Sequence, residues 1–230
     1  MVLQAEEGRR GLTTSPVRVL VATAVPAERD AVAEAYPGDV LAVGVGPARA
    51  AAGTATALTR AALAGTPYDL VVSAGIAGGF APHAPLGSLV VADEITVADL
   101  GAETPDGFVP VTELGFGTVT HHPPADLVRR AAAAAGALTG AVLTVSTVTG
   151  SAARADALRA GHPTALAEAM EGFGVAEAAA AHRVPVLEIR AVSNPVGPRD
   201  RAAWAVPAAL AALTTGFGKI TPVLESWKSV

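Results

Sequence analysis

The chain contains no cysteine. That excludes disulfides, thiolate zinc sites and a cysteine nucleophile, and says little about compartment. Aromatic residues make up only 4% of its 230 residues although half are hydrophobic, so alanine and valine must fill the core in thin, closely packed layers. There is no excess of positive charge: the formal net charge is −5. This argues against general nucleic-acid binding, which needs clustered Lys and Arg. No apolar stretch reaches the roughly 18 uncharged residues of a spanning helix. The N-terminal stretch, residues 1–16, is polar and lacks the apolar centre of a secretory signal. It reads as a frayed tail ahead of one domain over residues 17–230, in a protein expected in the cytoplasm and away from membranes. The five histidines show no metal-ligand spacing such as HExxH, so no catalytic metal is expected, and no cofactor.

What is present is an alternation. Val17–Ala24, Val40–Val45, Asp69–Ser73, Ser88–Ala92, Glu94–Val97, Ala141–Val148 and Val184–Val192 read as strands. Ala27–Ala35, Pro47–Ala64, Pro124–Ala135, Ala152–Arg159, Glu171–His182 and Arg201–Thr214 read as helices. Gly75-Ile76-Ala77-Gly78-Gly79 reads as a turn after the third strand, and Leu100–His122 as irregular structure or short hairpins. Such alternation predicts a single three-layer α/β/α domain around a mostly parallel, mixed sheet, long enough to bury a sizeable core.

Two stretches carry the functional signal. Ala169-Met170-Glu171-Gly172 places a carboxylate at the mouth of an alanine-rich helix. Arg190-Ala191-Val192-Ser193-Asn194 ends a buried strand in two small polar side chains, where open α/β sheets bind ligands. A carboxylate accepts hydrogen bonds from paired sugar hydroxyls, and an amide donates and accepts at the edge of an oxo-purine. Together they suggest a nucleoside site. Each residue also has an ordinary alternative. Glu28 is either a favourable charge in the first turn of a helix or a general base that activates water. The glycines at 75, 78 and 79 make a tight turn or let backbone N–H groups, with Ile76 and Ala77, approach a ligand. Glu171 caps a helix or holds a sugar; Met170 is core or packs on a sugar face. Asn194 forms a turn before Pro195 or reads a base. Asp200 caps the following helix or serves chemistry, and Trp204 is core or a lid over a flat base. Gly44-Val45-Gly46 is a poor dinucleotide fingerprint, because Arg49 stands where a third glycine belongs.

Taken in order, these positions resemble the purine nucleoside phosphorylase/nucleosidase superfamily over nearly the whole chain. Three segments look like signatures of the futalosine hydrolases within it, a nucleosidase family of an alternative menaquinone pathway. They are Val21-Ala22-Thr23-Ala24-Val25-Pro26-Ala27-Glu28, Gly75-Ile76-Ala77-Gly78-Gly79-Phe80 and Ser193-Asn194-Pro195-Val196-Gly197-Pro198-Arg199-Asp200. The resemblance implies hydrolysis of an N-glycosidic bond. Glu28 would activate water near Gly78, Glu171 would grip the ribose hydroxyls and Met170 would pack on the ribose. Ile76, Ala77, Ser193 and Trp204 would complete the pocket. Asn194 stands where adenine-specific nucleosidases have Asp, which fits hypoxanthine. A neutral amide is no general acid, so either Asn194 stabilises the departing base by hydrogen bonding or Asp200 supplies a proton. The resemblance also implies a homo-oligomer, a dimer or larger, with Phe80, His83 and Phe108 as candidates near the sugar's 5′ side. Phosphorolysis is the alternative. It would need arginines around phosphate, and only Arg29 and Arg49 lie near the predicted loops. A nucleotide-dependent oxidoreductase and a non-catalytic nucleoside-binding protein are the competing classes.

Overall fold

The computed structural model describes residues 16–228; the expected N-terminal tail lies, except for Pro16, outside them. In chain order the elements are β1 (Val19–Thr23), α1 (Pro26–Ala33), β2 (Asp39–Ala42), α2 (Pro47–Leu63), β3 (Leu70–Gly79) and β4 (Leu89–Val97). There follow β5 (Gly101–Thr104), β6 (Gly107–Pro110), β7 (Thr120–His121), α3 (Ala125–Ala135), β8 (Leu138–Thr144) and α4 (Ala152–Gly161). The chain ends with β9 (Ala165–Ala169), α5 (Gly172–Ala181), β10 (Val186–Pro195), a short 3-10 turn (Arg201–Ala203) and α6 (Val206–Ser226).

The mixed α/β architecture is the expected one. β1 lies between β2 and β3, parallel to both, and β3 runs parallel to β10. β10 pairs antiparallel with β4, which is parallel to β8, which is parallel to β9. β9 then returns antiparallel to the far end of β3, at Gly78 and Gly79. Strands β3, β10, β4, β8 and β9 therefore close a ring, with β1 and β2 as an open wing. The central strands are buried along nearly their whole length because helices cover both faces; β1 is apolar up to Thr23, and the apolar run of β10 is interrupted by Glu188 and Arg190. On one face α1, α3 and α6 pack through Val32, Leu127, Val128, Leu213, Phe217 and Ile220. On the other, α2 and α5 pack through Ala50, Leu58, Phe173, Val175 and Ala176, while α4 adds Leu158 at the ring's end. α5 and α2 approach closely because small residues face each other: a Cβ on Gly174 would sit 2.1 Å from the Pro47 carbonyl oxygen. No helix among the described residues is long and apolar enough to cross a membrane.

Several expected elements differ. The Gly75–Gly79 segment is not a turn but the second half of β3, held in the sheet by β10 on one side and β9 on the other. β9 was not expected. Its sequence, Ala-Leu-Ala-Glu-Ala, has no β-branched residue and carries little intrinsic strand preference; tertiary pairing makes it a strand. The two strand segments at Ser88–Ala92 and Glu94–Val97 are one strand, β4, with a register shift between Ala92 and Glu94. The last helix breaks at Trp204 and Ala205 and restarts with Pro207 in its first turn, where proline lacks no hydrogen bond that a helix would make.

Candidate active site

The open end of the ring gathers residues from seven segments around a cavity of about 230 Å³. Its walls include Ala24, Val25 and Glu28 after β1, Val45 after β2, and Ile76, Ala77 and Gly78 of β3. They also include Val148, then Glu168, Ala169, Met170 and Glu171 at the β9–α5 junction, Ser193 and Asn194 of β10, and Trp204 beyond it. Four other depressions are larger, two of about 670 Å³ and two of about 410 and 480 Å³. In the two largest the ionisable residues, Asp93, His122 and Arg129 in one and His83 in the other, are exposed, and among the described residues no buried carboxylate lines any of the four. The smaller cavity is the better candidate because three buried carboxylates converge on it from separate elements.

Glu28 reconciles its two expected readings. One oxygen, Oε2, accepts from the backbone N–H of Ala24 (2.9 Å) and Val25 (3.3 Å), so it caps the start of α1. The other, Oε1, accepts from the N–H of Ile76 at 2.9 Å, across 48 residues of sequence. That second bond needs the glycine beside it: a Cβ on Gly75 would lie 2.5 Å from Glu28 Oε1 and 2.8 Å from Arg190 Nη1. Three backbone donors thus orient a carboxylate at the cavity wall.

Glu171 precedes the first turn of α5. Its Oε1 accepts from Gly46 N–H at 3.2 Å and its Oε2 from Arg190 Nη1 at 3.4 Å. Arg190 lies fully buried below the cavity floor. It also donates to Glu188 Oε1 (2.8 Å), Ser73 Oγ (3.2 Å) and the Ile76 carbonyl (3.5 Å). Burial works to lower the guanidinium pKa, but Glu188, Glu171 and Glu28 outweigh it and leave the group above its ordinary value. Burial pushes the Glu188 carboxyl up, opposed by Arg190. One cation therefore holds the floor beneath the cavity's acidic wall together.

A register shift between Val192 and Asn194 turns the end of β10 toward the cavity, the use to which bulges near sites are often put. Ser193 Oγ lies 2.9 Å from Asn194 Oδ1 and 3.2 Å from the Ala77 carbonyl; its single proton serves one of them at a time. Asn194 Nδ2 donates to the Pro195 carbonyl at 3.1 Å, leaving its second N–H for a ligand. The backbone N–H of Ala205 donates to the Ser193 carbonyl at 2.8 Å, which ties the Trp204 segment to the cavity rim. The guanidinium carbons of Arg199 and Arg201 lie 5.6 and 5.9 Å from the Trp204 ring centroid.

The phosphorylase superfamily model matches residues 23–216. A futalosine hydrolase from Streptomyces coelicolor is 71% identical over 231 residues, covering 92% of this chain and 98% of the relative. The chain belongs to the futalosine hydrolase family, within the phosphorylase superfamily. A second futalosine hydrolase, from Acidothermus cellulolyticus, is 44% identical over 226 residues, with 89% and 90% coverage. Among solved structures, a 5′-methylthioadenosine/S-adenosylhomocysteine nucleosidase from Colwellia psychrerythraea, in complex with adenine, superposes with a TM-score of 0.79 at 22% identity. The match covers 93% of this chain and 98% of that one, and it shows the shared fold.

In this futalosine hydrolase family chain, Glu28, Ile76, Ala77, Gly78, Met170, Glu171, Ser193, Asn194 and Trp204 line one cavity. Asp200 stands apart. It is exposed, and its carboxylate accepts from the Ala202 N–H at 3.1 Å, capping the 3-10 turn. Phe80 is buried in the packing around α4, His83 lines a different depression, and Phe108 belongs to the β5–β6 hairpin. Arg49 is exposed and packs against Gly44, while Arg29 pairs with Asp30. Sequence reasoning missed Glu168 because it sits in a strand without strand signal; the hint was a second acid three residues ahead of Glu171. It also missed Arg190 as the shared partner of the acids, although a charge inside an apolar strand was visible.

Proposed function

We propose that this chain hydrolyses the N-glycosidic bond of futalosine, releasing hypoxanthine and dehypoxanthine futalosine, as a step of menaquinone biosynthesis in the cytoplasm. One observation carries the reading. Glu28 and Glu171 face a single cavity whose walls, among the described residues, include no Arg or Lys. A phosphorylase must hold a phosphate against the sugar and uses cations to do so. Arg190 is buried, already engaged by Glu171 and Glu188, and not part of the walls. The cavity therefore suits a neutral nucleophile.

In this reading Glu171 accepts hydrogen bonds from the ribose 2′ and 3′ hydroxyls, and Met170 packs on the sugar. As the C1′–N9 bond stretches and the ribose becomes oxocarbenium-like, Asn194 donates an N–H to the departing base, whose negative charge it stabilises. Water near Gly78 attacks C1′, and Glu28 Oε1 or its partner oxygen takes the water proton. The OH remains on C1′, the departing base anion takes a proton from solvent water to become hypoxanthine, and Glu28 returns its proton to solvent, which restores the carboxylate. Trp204 covers the ring. Val45 and Val148, exposed at 55% and 40%, form an apolar rim at the mouth, which supports a homo-oligomer whose neighbouring copy closes the site.

The test is purified protein incubated with futalosine, inosine and methylthioadenosine, with and without phosphate, following base release by chromatography. Hypoxanthine released from futalosine without phosphate is expected. Release only with phosphate refutes hydrolysis, and release of adenine alone refutes the assignment of Asn194.

A further inference from the structure

We propose that Glu168 selects the base, accepting a hydrogen bond from the N1–H of a 6-oxopurine while Asn194 holds the imidazole side of the same ring. This rests on the reading of the cavity as a purine-nucleoside site and adds the residue that distinguishes one class of purine from the other.

The geometry comes from the closure of the ring. At the far end of β3, Gly78 is paired with Glu168 on β9 and with Asn194 on β10. Residues directly opposite each other on neighbouring strands project to the same face, so Glu168 and Asn194 flank a position that has no side chain. A Cβ on Gly78 would sit 3.3 Å from Asn194 Nδ2 and 2.9 Å from Val196 Cγ2. The glycine keeps a floor open between the two polar residues. Neighbouring strands are about 4.8 Å apart, so the flanking backbones stand roughly 10 Å from each other. That gap admits a flat bicyclic base with a hydrogen bond at each edge.

At the N1 position, Glu168 fits only a ring that carries a hydrogen there. Its Oε1 accepts from the Thr149 N–H at 2.8 Å and its Oε2 from the Thr149 hydroxyl. Each oxygen has a further acceptor position, and an ionised carboxylate has no donor. Glu28 is held by three backbone donors and Glu171 by Gly46 and Arg190. Glu168, by contrast, is buried on the cavity wall with Thr149 as its hydrogen-bond partner and no ion pair among the described residues. Burial raises its carboxyl above the ordinary value, against the two Thr149 hydrogen bonds. Keeping such a group charged is costly, and a ligand N–H offsets that cost. In a 6-oxopurine N1 carries a hydrogen; in a 6-aminopurine N1 is a lone pair that a carboxylate repels. Glycosidic bond cleavage, at the other side of the base, has no use for this acid.

The experiment compares kcat/KM for futalosine and for its 6-amino counterpart in the wild type, Glu168→Gln and Glu168→Ala. A hydrogen bond to a charged group corresponds to about 10- to 100-fold, so Glu168→Gln should lower the 6-oxo to 6-amino ratio by that factor. The 6-oxo arm should fall, because a neutral amide oxygen accepts from N1–H more weakly than a carboxylate, and the 6-amino arm should rise, because the Gln amide can donate to a bare N1. An unchanged ratio in a variant that still hydrolyses futalosine overturns the proposal. So does an equal loss on both substrates, which a merely structural role would give. Binding of free bases to the wild type keeps the test independent of the variants' folding. 1-Methylhypoxanthine should bind at least about tenfold more weakly than hypoxanthine, and Glu168→Ala should narrow that gap. Equal binding of the two bases by the wild type overturns the proposal. A wild type that cleaves neither nucleoside removes the reading beneath it as well, and is thereby told apart from a failure of base selection alone.

Discussion

Replacing Arg190 by Met tests whether one buried cation holds the floor of the site. The guanidinium is fully buried and lies 2.8 Å from Glu188 and 3.4 Å from Glu171. Methionine fills much of its volume but leaves Glu188 without a counter-ion; Glu188 Oε2 already has no hydrogen-bond partner. Breaking a buried pair from one side costs about 3–5 kcal/mol. Single domains are stable by about 5–15 kcal/mol, so the variant should fold but lose a large share of its margin. At about 2–4 °C per kcal/mol for a chain of this size, the melting temperature should fall by roughly 6–20 °C. The pH dependence follows from the direction of the Glu188 shift. Burial holds its native pKa above the ordinary carboxylate value, so the native state binds more protons than the unfolded state there. Stability from this group is full below the ordinary carboxylate pKa and is lost as pH rises to the native one. Without Arg190 the native value rises further, and each added unit is worth about 1.4 kcal/mol. Urea denaturation should therefore show a larger deficit for Arg190→Met at pH 8 than at pH 5. Adding Glu188→Gln should recover much of the loss at pH 8. A deficit below about 1 kcal/mol at pH 8, or no recovery in the double variant, would refute the charge accounting.

Three further outcomes are expected. Glu28→Gln should reduce futalosine turnover by about 10²-fold or more while binding persists; unchanged kcat would remove Glu28 from the chemistry. Gly75→Ala drives a methyl group to 2.5 Å from Glu28 Oε1, and overpacking of this kind costs about 1–3 kcal/mol. Its kcat/KM should fall by more than about tenfold with only a modest drop in melting temperature, and wild-type kinetics would show that the Glu28 position is not critical. Asp200→Asn keeps a side chain that caps a turn, so turnover should stay within a few-fold of wild type; a collapse in kcat would return Asp200 to the role of proton donor.

How much of this was legible in the sequence depends on the range of the forces involved. Val19–Thr23 is an apolar run and Val186–Val192 a mostly apolar one, broken by Glu188 and Arg190, that a doubly covered sheet buries; their length and β-branched content announce them. The alanine-rich helices also declare themselves. Glu28 and Glu171 were recognisable because each stands in a patterned stretch next to an element boundary. Gly75–Gly79 was misread because five residues rich in glycine look locally like a turn. Its extended form is imposed by β9 and β10, and by Glu28 and Arg190 passing over Gly75 where a side chain would collide. Glu168 was invisible for a related reason. Nothing in Ala165–Ala169 favours a strand, so no pattern assigned the acid to a face. The pairing that places it opposite Gly78 joins positions 90 residues apart.

The closed ring also has a consequence for synthesis. A nascent chain that has just completed β3 has two further neighbours to wait for: β9, made of residues 165–169, and β10, ending at residue 195. At about 5–20 residues per second, the 116 residues between positions 79 and 195 take roughly 6–23 s to emerge. Throughout that interval the strand bearing Ile76, Ala77 and Gly78 has unpaired edges, and Glu28 lacks the opposing walls of its cavity. The domain cannot be assembled in halves on the ribosome, and a stalled N-terminal fragment would present an apolar strand edge of the kind that invites chaperones or aggregation.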